Sequence, residues 1–314
     1  MSEPARLIFP ALRWHARTGF AHEEPRIDAT LKLGVGGYIL FGGSAKAARE
    51  LSERLRSASR HPILIGSDFE RGGGQQFDGL THLPPPAALG FLDDPAIARR
   101  CGEITAREAR SVGINWVYAP VADLDVEPEN PIVQTRSFGD DPGRVGRLVS
   151  AWVSGAEHEG VVASAKHFPG HGRTRTDSHD SLPEVRASLP ELARADLLPF
   201  GAAITAGVHS IMTAHVAYPS WDASGLPATL STSILAYLRR ELGFRGVVVT
   251  DALIMEGALR GRGEALACVD AIRAGCDALL YPRNATAVAG ALEQAAQRDA
   301  VVEGRLSRVR LGAC

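Results

Sequence analysis

Short apolar runs recur along the chain at intervals of roughly 25 to 50 residues, and each is followed by a stretch whose apolar positions return every third or fourth residue. Eight runs read as strands: 6–12 (RLIFPAL), 36–42 (GGYILFG), 62–68 (PILIGSD), 114–120 (INWVYAP), 161–168 (VVASAKHF), 209–215 (HSIMTAH), 246–252 (GVVVTDA) and 277–282 (DALLYP). Between them lie helical patterns, the clearest being SAKAARELSERLRSAS, DPAIARRCGEITAREARSVG, GRVGRLVSAWVSGAEHEG, STSILAYLRRELG and ATAVAGALEQAAQRD. Strands alternating with helices imply a parallel sheet, and eight such units in about 300 residues predict an α/β fold, a single (β/α)8 TIM barrel, over a doubly wound sheet. No linker or low-complexity stretch interrupts the pattern, so one domain over 1–314 is expected.

The composition fits a folded globular chain: 314 residues, 45% hydrophobic and 22% charged. Its 34 basic and 36 acidic side chains leave a net charge of −2, with no long run of one sign. Nothing there marks a nucleic-acid or membrane surface, and a small-molecule ligand is the expected partner. The start MSEPARLIFPALRW lacks the pattern of a signal peptide, and no apolar run approaches the length of a membrane span, so a cytoplasmic protein is expected. No motif bears on its oligomeric state, and a monomer is the default expectation. Cys101, Cys268, Cys276 and Cys314 are scattered without metal or disulfide spacing, and NAT at 284–286 is a chance match to a glycosylation sequon. No cofactor is expected.

Polar residues collect where a barrel builds its chemistry: Asp68, Lys166, His167, His215 and Asp251 stand at or just beyond the C-terminal end of a strand run. The segment KHFPGHGRTRTDSHDSLP (166–183) is the densest. As a metal site it offers His167, His171, His179 and Asp177, but Pro169 and Gly170 break any helical ligand face, and its glycines match no phosphate loop. Lys166 suits either a Schiff base or a hydroxyl or carboxylate contact. Asp177 and His179, one residue apart, fall on one side of an extended loop, where a carboxylate can orient an imidazole for proton transfer; a turn cap beside a surface histidine fits the spacing as well.

Asp251, directly after an apolar strand in VVVTDALIMEGA, fits a nucleophile or a helix cap. In GSDFERGGGQQFDG, Asp68 suits paired sugar hydroxyls, and glycines 72–74 allow either close approach to a ligand or a flexible loop. Arg136, after the fourth strand run, is free to bind a ligand or to pair with Asp140 or Asp141.

KHFPGHGRTRTDSHDSLP, PVADLDVEPENPIVQTRSFG and GFRGVVVTDALIMEGA, in that order, resemble the family-three glycoside hydrolases, and within them the β-N-acetylhexosaminidase branch. The resemblance runs from about residue 30 to 285. It implies a barrel, retaining hydrolysis with Asp251 as nucleophile, His179 as general acid/base assisted by Asp177, and a sugar held by Asp68, Arg136, Lys166, His167 and His215, without metal. It also implies release of N-acetylglucosamine from peptidoglycan fragments, with β-glucosidase, β-xylosidase or phosphorylase activity as alternatives within the family. A metal-dependent or Schiff-base barrel enzyme is the alternative of another class. Two departures stand out: DFERGGGQQ replaces the commoner DxEGGRV, which leaves Arg71 without an assigned role, and the chain reads to RLSRVRLGAC without the sandwich domain of larger members, which makes His179 the expected acid.

Overall fold

The computed structural model describes residues 4–178, 181–259 and 263–308. Nine strands occur among them: β1 (Ile8–Phe9), β2 (Ala11–Arg13), β3 (Gly37–Phe41), β4 (Leu64–Ser67), β5 (Trp116–Val117), β6 (Val162–Phe168), β7 (Ser210–Thr213), β8 (Val247–Thr250) and β9 (Leu279–Leu280). Strands β2 to β8 pair in sequence order in one curled, all-parallel sheet, and β1 pairs in parallel with β9. Each of the eight runs read from the pattern contains one of these strands, except that the first contains two. Pro10 is the reason: it has no N–H to donate, although its carbonyl still accepts from Ile39 N (3.0 Å). Hydrogen bonds also run from Gly36 N to Ile8 O (3.2 Å) and from Thr250 N to Ala278 O (3.0 Å), linking β1 to the start of β3 and β9 to the edge strand β8.

Alternation along the strands sorts their side chains into two cores. Phe9, Ala11, Ile39, Trp116, Met212, Val249 and Leu280 share a compact cluster on one face. Their neighbours Ile8, Leu12, Tyr38, Leu40, Val117, Ile211, Val248 and Leu279 belong to the larger cluster packed under the helices. The pattern in, out, in carries unbroken through Pro10, as a single strand would require. Burying a large apolar side chain contributes about 1.5–3 kcal/mol, so this double layer dominates the stability of the frame.

The five clearest helical patterns are helices at Ala45–Ala58, Pro95–Ser111, Pro142–His158, Thr232–Arg240 and Ala285–Ala296. Each starts behind a side chain that accepts an otherwise unpaired N–H: Ser44, Asp94, Asp141, Ser231 and Asn284. Asn284 of the NAT triplet is therefore a helix cap, and Asp141 is occupied as one. Among the described residues no helix is long and apolar enough to cross a membrane.

Candidate active site

Asp68, Arg136, Lys166, His167 and Asp251 line one cavity of about 500 Å3. They reach it from the C-terminal side of the sheet: Asp68 follows β4, Lys166 and His167 end β6, and Asp251 follows β8. Lys166 is buried, and its Nζ donates to Asp68 Oδ1 at 2.8 Å and lies 2.5 Å from Glu70 Oε1. Arg136 grips the same Glu70 with both arms of its fork, Nε to Oε2 at 2.9 Å and Nη2 to Oε1 at 2.7 Å. Burial works against the Glu70 anion, but Lys166 and Arg136 outweigh it and hold the carboxyl well below the usual range. Burial likewise pulls Lys166 down, but Asp68 and then Glu70 raise it above the ordinary lysine value. An ammonium so held is a hydrogen-bond donor, and a Schiff base would need the free amine.

A second carboxylate organises the histidines. Asp123, 1% exposed, lies beyond β5 and accepts from the N–H and Nδ1 of His167 (3.2 and 2.7 Å) and from the N–H of His171 (2.7 Å). Burial, the largest influence, opposes its ionisation, but the charge and hydrogen bonds of His167 and His171 together outweigh it, so its pKa is lowered. His167 is thereby turned with Nε2 toward Asp251 Oδ2, 3.9 Å away. Asp251 has its other oxygen tied down by Ala252 N–H (2.7 Å). Burial penalises the Asp251 anion, while His167, then His215, then the Ala252 N–H favour it, and its pKa ends below the usual value. Among the described residues Asp251 thus has one oxygen held by a hydrogen bond and one without, and it is ionised at neutral pH.

His215 is fully buried and stands outside the cavity lining. Burial lowers its pKa, so the ring is neutral; Nε2 lies 3.1 Å from the Ala252 carbonyl, to which it donates, and Nδ1 lies 2.8 Å from Thr229 Oγ1, whose own proton goes to the Ala214 carbonyl (3.0 Å). It props up the turn that carries Asp251.

The loop after β6 folds back over the site. The Gly172 position has no room for a side chain, because a Cβ there would come within 1.7 Å of Leu124 O. His171 is buried, and burial first, then His167, lower its pKa to about 4. Thr174 Oγ1 donates to the His171 carbonyl (3.0 Å), so at 2.8 Å it accepts from His171 Nδ1; Nε2 then accepts from Ser178 Oγ (3.1 Å). Ser178 reaches the cavity wall, and its carbonyl accepts from Gly257 N (3.2 Å) beyond β8. Asp177, next to it, is outside the lining, and its carbonyl accepts from Ser181 N (3.2 Å). His179 lies outside the described residues. Among the described residues no group of three or more His, Cys, Asp or Glu side chains could hold a metal ion.

The model of the glycosyl hydrolase family 3 N-terminal domain matches residues 17–311. The chain belongs to glycosyl hydrolase family 3. Its family 3 relatives include a β-hexosaminidase of Thiobacillus denitrificans, 40% identical over 78% of this chain and 71% of that protein. Among solved structures, a family 3 β-N-acetylglucosaminidase from Paenibacillus sp. superposes with a TM-score of 0.88 at 33% identity, over 98% of this chain. The β-glucoside phosphorylase BglX bound to 2FGlc superposes at 0.90 and 28% identity, over 99% of this chain. The chain spans 61% and 57% of those two longer chains.

Two parts of this family 3 site had no assigned role in the sequence reading. Asp123 follows an apolar strand as Asp251 does, and the same strand-end signal in PVADLD marks it. Glu70, rather than Asp140 or Asp141, is the partner of Arg136, a contact between residues 66 positions apart that no local pattern discloses. Glycines 72–74 answer to packing: a Cβ would meet Leu83 and Thr81 O at 72, Leu80 at 73, and His82 N and Leu80 O at 74.

Proposed function

We propose that this chain is a retaining exo-β-N-acetylglucosaminidase that releases terminal N-acetylglucosamine from peptidoglycan-derived fragments. The observation that carries the reading is the ionised Asp251, one oxygen tethered by Ala252 N–H and the other beside His167, in a cavity also lined by Asp68, Lys166 and Arg136. Asp251 attacks the anomeric carbon while His179, as imidazolium, protonates the departing oxygen, giving a glycosyl-Asp251 intermediate; water, deprotonated by His179, then releases the sugar. Asp177 orients His179. Docking of the neighbouring Ser178 against His171 and Gly257 supports a loop that delivers this pair to the cavity. Asp68, Lys166, His167 and Arg136 hold the sugar hydroxyls, with His215 supporting the nucleophile's turn. The nine strands form one closed (β/α)8 barrel, its first strand divided at Pro10, in a single cytoplasmic, monomeric domain. The similarity to BglX favours a second reading in which phosphate replaces water.

Asp251→Ala should abolish turnover of an aryl N-acetyl-β-glucosaminide, and near wild-type activity would remove Asp251 as nucleophile. In the same assay His179→Ala should cost more on a poor leaving group than on nitrophenol, which needs little protonation. Equal losses would count against an acid role.

A further inference from the structure

The cavity wall carries more cations than its sugar-binding network uses. Among the described residues its carboxylates are Asp68, Glu70 and Asp251, of which Glu70 is gripped by Arg136 and Lys166, and Asp68 by Lys166. Two exposed guanidinium groups on the same wall, Arg13 and Arg71, have no carboxylate partner among the described residues. Arg13, at the end of β2, is stacked against Phe41 with 4.3 Å from its central carbon to the ring centroid, and against Tyr281 at 5.1 Å. Its Nε donates to the Tyr281 hydroxyl, which leaves the two terminal nitrogens for a ligand. Held by two rings, this fork loses little freedom when it meets a planar anion. Arg71 is anchored through its backbone: its N–H donates to Gln75 Oε1 (2.9 Å) and its carbonyl accepts from Leu83 N (2.9 Å).

We propose that Arg13 and Arg71 are specificity-determining residues that recognise a carboxylate on the leaving group, so that the preferred substrate carries an acidic aglycone. The inference rests on the glycosidase reading. On the shared cavity wall Lys166 and Glu70 are buried while Arg13 and Arg71 are exposed, and an exo-acting glycosidase, with the terminal sugar held inward, turns the group beyond it toward that exposed side.

The test compares kcat/KM for 4-nitrophenyl and 3-carboxy-4-nitrophenyl N-acetyl-β-D-glucosaminide, two leaving groups of similar acidity. The wild type should favour the carboxylated substrate, by a factor that shrinks as ionic strength rises. Arg13→Met and Arg71→Gln should each lower the ratio of the two constants several-fold, the double variant by about tenfold, and Arg13→Lys should recover part of the loss. Because each variant is its own control, a general loss of folding or catalysis leaves the ratio unaffected. A ratio unchanged in both single variants and the double variant overturns the inference while the glycosidase reading stands. If the wild type cleaves neither substrate, both fall.

Discussion

Replacing Asp123 by Asn keeps the shape of a buried side chain and removes its charge. The carboxylate accepts two 2.7 Å hydrogen bonds, from His167 Nδ1 and His171 N, and Asn has only one oxygen with which to replace it. With that oxygen toward His171 N, the new NH2 faces His167 Nδ1, and the ring must shift its proton to Nε2, the nitrogen beside Asp251. With the amide reversed, a buried backbone N–H is orphaned. Losing a charge-assisted bond and leaving a donor mismatched costs about 2–4 kcal/mol. For a chain of this length that corresponds to a drop in Tm of roughly 3–6 °C. Disorienting His167 should also lower kcat/KM on nitrophenyl N-acetyl-β-glucosaminide by roughly 10- to 100-fold, as expected when the group that orients a site residue is lost. Thermal unfolding and initial rates on one preparation measure both. A Tm within about 1 °C of wild type together with kcat/KM within about twofold would refute the role given to Asp123.

Two further outcomes follow from the loop. Because the folded-state pKa of His171 is lowered from 6.5 to about 4, its contribution to stability is complete above pH 6.5 and is lost as pH falls toward 4. The loss approaches a ceiling of about 3 kcal/mol, so urea unfolding of His171→Gln should show a flatter pH dependence than wild type across that window; identical slopes would contradict the neutral, buried ring. Gly172→Ala places a methyl group against Leu124 O and should cost about 1–3 kcal/mol and lower kcat by displacing the segment that carries Ser178. Unchanged Tm and kcat would mean that the loop does not dock there.

The strand frame was legible because its signal is local. Apolar runs and helical periodicity located all eight strand regions, and the capping residues Ser44, Asp94, Asp141, Ser231 and Asn284 stand just before the helices they start. Pro10 shows the limit of such patterns: the side-chain alternation passes through it, but the hydrogen-bond ladder does not. The placement of Asp68, Lys166, His167 and Asp251 at one cavity was legible for a related reason, since a polar side chain at the end of a buried strand requires a use; Arg136, in a turn well beyond β5, carries no such signal. What local patterns could not disclose was which charge meets which. Lys166 and Asp68 are 98 positions apart, and Asp123 and His167 are 44 apart. His171 resembled a metal ligand in sequence, yet both ring nitrogens are taken by hydroxyls, at Thr174 and Ser178.

A covalent bond between Asp251 and the sugar fixes the stereochemistry of the product, which proton NMR of the first turnovers of an aryl N-acetyl-β-glucosaminide, run with and without phosphate, reads out. Double displacement through Asp251 predicts that the β-anomer appears first, as free sugar or as the β-1-phosphate, and that free β-sugar equilibrates with the α-form only later. An α-anomer appearing first, in either buffer, would contradict it.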